Sequence, residues 1–172
     1  MTDSLTLRTV SQYAAGFPFC DHDSEHVERV FQKFRSMAGR AIIETSGNIS
    51  QGITGLYSLE MACAGVLLFE FYEDGFDYRE LRRIRQMIVP YKVAEAIEAI
   101  RIDRSVEFVI RKNAFRASGE VVYSPTFLVD GERQTSPDDS NNVRDQIVKD
   151  ALFTRATYSI SASAHLKPLL AD

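Results

Sequence analysis

The sequence predicts an α+β fold, with helices filling the N-terminal two-thirds and a small antiparallel meander after them. Three observations carry this. Apolar residues recur at three- and four-residue spacings from about Asp23 to Ile100, and the period changes to two after Asp103. Asp130-Gly131 then offers the tight hairpin turn in which both central residues take positive φ. At 172 residues the chain is expected to be a single domain over 1–172, large enough to bury a core without disulfides or a metal. Its 45% hydrophobic and 26% charged residues lie in the ordinary range for folded proteins, which argues against wholesale disorder.

About four helices are expected before the sheet. The first runs from Asp23 to Gly39, with Val27, Val30, Phe31, Phe34, Met37 and Ala38 on one stripe. Asp21, Asp23 and Glu25 stand at its positive end, Asp23 or Ser24 caps it, and Gly39 stops it. The segment from Thr45 to Gly55 holds three glycines and reads as a turn-rich break. It lacks the Gly-Lys-Ser/Thr ending that nucleotide-binding loops need. Residues 56–72 are apolar or small at nearly every position, which marks a central buried helix covered on most of its surface. Glu60, Glu70, Glu73 and Asp74 argue against a membrane span there. A third helix follows Gly75, capped by Asp77, with Leu81, Ile84, Ile88 and Tyr91 inward and Arg79, Arg82, Arg83 and Gln86 outward. Pro90 ends or kinks it. Val93, Ala94, Ile97 and Ile100 face inward on the fourth, with Glu95 and Glu98 on its wet side.

The meander is expected near 105–136. Val106, Phe108 and Ile110 alternate with Glu107, Val109 and Arg111, a turn falls near Ala117-Ser118-Gly119, and a second strand covers Glu120–Val129. Pro125 removes a ladder donor, which places that strand at an edge or a bulge. A polar loop over 135–142 leads to a short helix near 143–153. The chain then ends in an extended tail, Thr157–Leu166, that either completes the sheet or reaches into a neighbouring copy.

Composition bounds the function. Two cysteines 43 positions apart do not make a disulfide framework, and the N-terminus has neither a basic start nor an apolar run after it. A cytoplasmic protein or part of an assembled particle is expected, with no cleaved secretion signal and no membrane partner. The net charge of −4 conceals three blocks: residues 1–78 carry 5 basic and 11 acidic side chains, 79–116 carry 10 and 5, and 117–172 carry 5 and 8. Such a dipolar chain would dock one copy's basic band on another's acidic face, or hold a phosphate backbone against its middle. Arg79, Arg82, Arg83 and Arg85 are the candidate partner-binding or anion-binding residues.

One run is chemically pointed. Cys20-Asp21-His22-Asp23-Ser24-Glu25-His26 holds one of two cysteines and two of three histidines. A helix beginning there would set His22 and His26 four residues apart on one face, with Cys20 leaning in, a ligand set suited to zinc. No other cofactor is expected. His22-Asp23-Ser24-Glu25-His26 also resembles, over these five residues, the H-x-x-E-H zinc site of the inverzincin peptidases. That resemblance implies two metal-binding histidines, a water-activating glutamate and a further downstream glutamate, for which Glu98 or Glu107 would stand. Cys20 beside His22 would alternatively serve as a thiol nucleophile. Tyr123-Ser124-Pro125-Thr126-Phe127-Leu128-Val129-Asp130-Gly131-Glu132 is similar to the cis-proline strand and hairpin of thioredoxin-like proteins, although the chain has no C-x-x-C. Cys63, between Ala62 and Ala64, reads as a packed small hydrophobe.

The reading favoured on these grounds is a non-enzymatic structural or interaction subunit that assembles with itself or with other proteins, a layout that would suit a viral or phage connector or adaptor. The alternatives are a metal-dependent or thiol enzyme using Cys20, His22 and His26, and a nucleic-acid-binding regulator using the basic 79–116 region.

Overall fold

The computed structural model describes residues 5–16, 24–46, 55–89, 91–133 and 151–171. In chain order they form β1 (Leu5–Thr6), α1 (Leu7–Ala14), α2 (Glu25–Gly39), β2 (Leu56–Tyr57), α3 (Leu59–Glu73), α4 (Tyr78–Ile88), α5 (Tyr91–Arg101), β3 (Val106–Phe115), β4 (Val121–Val129), β5 (Glu132–Arg133), β6 (Leu152–Ser161) and α6 (Ala162–Leu170). The class is α+β, with the helical portion first. No described helix is long and apolar enough to cross a membrane.

Local chemistry sets the helix starts. Side-chain oxygens of Thr6, Ser24, Ser58 and Ser161 accept from the N–H of Thr9, Val27, Met61 and Ala164 at 3.1–3.2 Å, each satisfying a donor that has no partner inside its helix. At α4, Asp77 accepts from the Arg79 and Glu80 amides at 2.7 and 2.9 Å, while Glu80 Oε2 accepts from the Asp77 amide at 3.0 Å, a reciprocal capping box. Of the two caps open for α2, Ser24 fills the role, and Asp23 lies outside the described residues.

Helix α3 lies at the centre, as its composition predicts, although it begins at Leu59. Leu56 and Tyr57 instead pair with β1, Leu5 opposite Tyr57. Its residues from Ala62 to Phe69, and Phe71, are all buried. Helices α1 and α2 approach one side closely. A Cβ on Gly65 would lie 3.1 Å from Ile43 Cγ2 and 3.5 Å from Phe34, so a small residue there lets the 42–43 segment and α2 close onto α3. On that side Phe69 stacks on Phe34 at 5.0 Å. On the other, Phe71 meets Phe108 edge-on at 5.5 Å and Phe76 at 5.4 Å, and Phe108 stacks on Phe127 at 4.8 Å. One core thus joins both layers.

The main sheet is antiparallel in the order β5-β4-β3-β6. No parallel strand pairing occurs among the described residues, so the thioredoxin-like resemblance stops at the hairpin. Pro125 sits where the ladder predicts: β5 pairs only with Leu128 and Val129, and the Pro125 carbonyl accepts from Lys92 Nζ at 3.2 Å.

Four expectations change. Helix α1 adds to the expected helices; about two turns with Val10 as its buried apolar contact are too short for a periodic signal. Tyr91 is 80% exposed rather than inward, because Val89 is extended (φ −97°, ψ 138°) and α5 restarts the helical phase. Of the helix expected near 143–153, Ala151 is helical, Leu152 and Phe153 are strand, and 143–150 lie outside the described residues. The extended tail ends at Ser161: β6 completes the sheet beside β3, and the chain then turns into α6, burying Ala162, Leu166 and Leu169. The alternation Ser161-Ala162-Ser163-Ala164 has period two, yet Ala is the strongest helix former and Ser161 is a cap.

The Asp130-Gly131 turn forms with φ of 51° and 83°, as its sequence demands. Asp130 also ties the hairpin to the end of α5, accepting from Arg104 Nε at 2.8 Å and from the Ser105 amide at 3.0 Å. The Arg104 hydrogen bond, followed by that amide, holds the Asp130 carboxyl below its usual range. The folded state therefore binds the proton more weakly than the unfolded chain. This contribution is complete above the ordinary carboxylate pKa and is lost as pH falls through the lower folded value. Asp130→Asn, which tolerates the same backbone, is expected to lower stability in denaturant titrations at neutral pH. The difference from the parent chain should shrink as pH falls below the ordinary carboxylate range.

Candidate functional site

Of the expected metal set, Cys20 and His22 lie outside the described residues. His26 is exposed in the first turn of α2 and lines a cleft of about 200 Å³ with Arg29, Lys33, Phe69 and Glu73. Lys33 Nζ is 2.7 Å from Glu73 Oε1, which occupies the one carboxylate among the described residues of that cleft. Among the described residues no group of three His, Cys, Asp or Glu side chains is placed to hold a metal. The two candidates for a downstream glutamate are elsewhere: Glu98 is paired with Arg101 at 2.9 Å on α5, and Glu107 on β3 accepts from Ser159 Oγ. His165 faces Glu70 at 3.5 Å, with the Glu70 carboxyl pushed up by burial. Cys63 is fully buried in α3, and desolvation pushes its thiol up to about 12.

The basic stripe divides. Arg79, Arg82 and Arg83 are exposed on α4 as expected, whereas Arg85 is 7% exposed. It grips Glu44 with both terminal nitrogens, at 2.7 and 2.8 Å, and its hydrogen bond holds the Glu44 carboxyl low. The reason was legible: Leu81, Ile84 and Ile88 define the buried face, and position 85 lies on it by the same three- and four-residue spacing. Arg82 Nη2 donates to the Arg40 carbonyl, and the Arg40 guanidinium lies 3.6 Å above the Tyr78 ring. Two of the four arginines thus brace the 40–44 segment.

What remains on the surface is a bent, two-signed face. Arg79, Arg83 and Met87 recur every four residues on the exposed side of α4. Tyr91, Glu95, Glu98 and Ile102 recur at four, three and four along the exposed side of α5 and its last turn. Met87, Tyr91 and Ile102 are large side chains 40%, 80% and 71% exposed; the sequence pattern points Tyr91 inward and singles out neither Met87 nor Ile102. Beside them, a groove of about 540 Å³ runs between the start of α3 and α5, lined by Leu59, Ala94, Ile97 and Ile102, with Glu60 and Glu95 on its rim. Position in the phase of α5 was the available signal for Tyr91, once Pro90 is taken to reset that phase.

Comparison with protein-family models and with curated proteins finds no match to this chain. Its surfaces therefore carry the functional argument. For Cys63 the burial has a direct chemical consequence. A Cys20→Ser chain, left with one thiol, is expected to stay unreactive toward a thiol-specific disulfide reagent when native and to react at once in denaturant. Rapid labelling of the native protein would contradict the packing of α3.

Proposed function

We propose that this protein is a non-enzymatic subunit that acts by assembling with itself through the α4–α5 face. The observation that carries this reading is the placement of opposite charge on either side of an exposed apolar centre. Arg79 and Arg83 lie on the α4 arm, Met87 and Tyr91 at the bend, and Glu95 and Glu98 on the α5 arm. A surface of this kind is complementary to itself. Rotated by a two-fold axis through the bend, the basic arm of one copy lies on the acidic arm of the other, and Met87 and Tyr91 meet their counterparts at the axis. Charges at the rim fix register, and the apolar centre supplies burial once water is expelled. The Ile102 end of the groove extends the same face. A dimeric unit of this sort suits a connector or adaptor within a larger particle.

Charge reversal tests the arrangement. Sedimentation equilibrium of the parent chain is expected to show a dimer that weakens with added salt. Arg79→Glu with Arg83→Glu makes both arms acidic, and Glu95→Lys with Glu98→Lys makes both basic. Each pair of substitutions should weaken self-association by about tenfold or more. An equimolar mixture of the two variants should recover a heterodimer. A parent chain that is monomeric at high micromolar concentration, or variants that associate as the parent does, would refute the proposal.

A further inference from the structure

The face of the main sheet opposite α3, α4 and α5 carries a second site, independent of the α4–α5 surface. Its floor is Asn113, which is 8% exposed and lies on the side of β3 opposite Phe108 and Ile110, where Arg111 and Ser124 are exposed. Both ends of its amide are held: Nδ2 donates to Ser124 Oγ at 3.0 Å, and Oδ1 accepts from Thr154 Oγ1 at 2.9 Å. A β-bulge assists, since Lys112 pairs with Ala156 but Asn113 with Thr154, leaving Arg155 as the extra residue on β6. Above this floor a pocket of about 260 Å³ is lined by Arg111, Ser124, Thr126, Thr154, Phe153 and Pro125.

Hydrogen-bond bookkeeping gives the pocket a sign. Thr154 spends its proton on Asn113, whereas Ser124 accepts from Asn113 and so keeps its own hydroxyl proton to donate. The second N–H of Asn113 and the guanidinium of Arg111 add further donors, and among the described residues no acidic side chain lines the pocket. Two more cations flank its wall: the guanidinium carbons of Arg116 and Arg155 lie 5.6 and 5.5 Å from the centre of the Phe153 ring. Neither these two nor Arg111 makes an ion pair with a carboxylate among the described residues. A donor-rich, cation-flanked pocket smaller than the usual pocket for a drug-sized ligand matches a tetrahedral oxyanion with part of its carrier.

We infer that this pocket binds a phosphate group, with Arg111 as the charged anchor and Asn113 and Ser124 as fixed neutral donors. The group would come from a small phosphorylated molecule or from a nucleic-acid backbone that runs on past Arg155 and Arg116.

Calorimetric titration of the full chain with inorganic phosphate, and separately with a single-stranded oligothymidylate, tests the site. Arg111→Ala is expected to weaken binding by about tenfold and Ser124→Ala by severalfold. Arg35→Ala, which removes an exposed arginine of α2, should leave it unchanged. If the oligonucleotide binds far more tightly than phosphate, and Arg155→Ala and added salt weaken only the oligonucleotide, the source is a nucleic-acid backbone. Equal affinities point to a small phosphorylated molecule. Binding of neither probe, or equal losses in Arg111→Ala and Arg35→Ala, would overturn the inference.

Discussion

Helix α3 is buried on nearly every side from Ala62 to Phe71, and that single constraint organises the molecule. A helix with one greasy stripe needs one neighbour; this one needs cover all round. Phe69 and Phe71, two positions apart, point to opposite layers, one stacking on Phe34 of α2 and the other meeting Phe108 of β3. Losing a ring such as Phe71 would cost about 3–5 kcal/mol. Exposed ion pairs such as Arg8–Glu28 contribute about 0–1 kcal/mol each, so the aromatic contacts decide how the layers close.

Polar groups then fix the details that apolar packing leaves loose. Glu80 illustrates this, since one of its oxygens completes the capping box of α4 and the other accepts from the Tyr123 hydroxyl on β4. Burial and that hydrogen bond both push the Tyr123 phenol up, so it stays a donor and pins the start of α4 to the sheet. Arg85 and Glu44 pin the other end. With α4 anchored at both ends and Pro125 receiving Lys92 from α5, the exposed sides of α4 and α5 are held in a defined relation to each other. A surface meant for recognition benefits from such rigidity, because less freedom is lost on binding.

Much of this was legible in the residues. The caps at Ser24 and Asp77, the buried run of α3, the switch of period at Val106 and the Asp130-Gly131 hairpin are local signals, and local signals read well. What escaped was set by partners distant in sequence. Arg85 looked like part of a basic stripe until Glu44 is seen beside it, and Tyr91 looked buried until Val89 interrupts the helical phase. The small residues after Ser159 fit two periods equally, and only packing of Leu166 and Leu169 chooses the helix. For the candidate sites the sequence concentrated attention on Cys20, His22 and His26. The described surface instead offers a two-signed helical face and a donor-lined pocket built from residues that are unremarkable one by one. Asn113, Ser124 and Thr154 come together only through strand register and a bulge.

We propose that copies of this chain meet through the bend between α4 and α5. A residue on a two-fold axis faces its own counterpart, and a disulfide there requires Cα atoms about 6 Å apart, so crosslinking reads the geometry directly. In a Cys20→Ser background, Tyr91→Cys is expected to give a covalent dimer under mild oxidation, while Arg35→Cys on α2 leaves monomers. A Tyr91→Cys chain that stays monomeric, or equal crosslinking through both positions, would contradict the account.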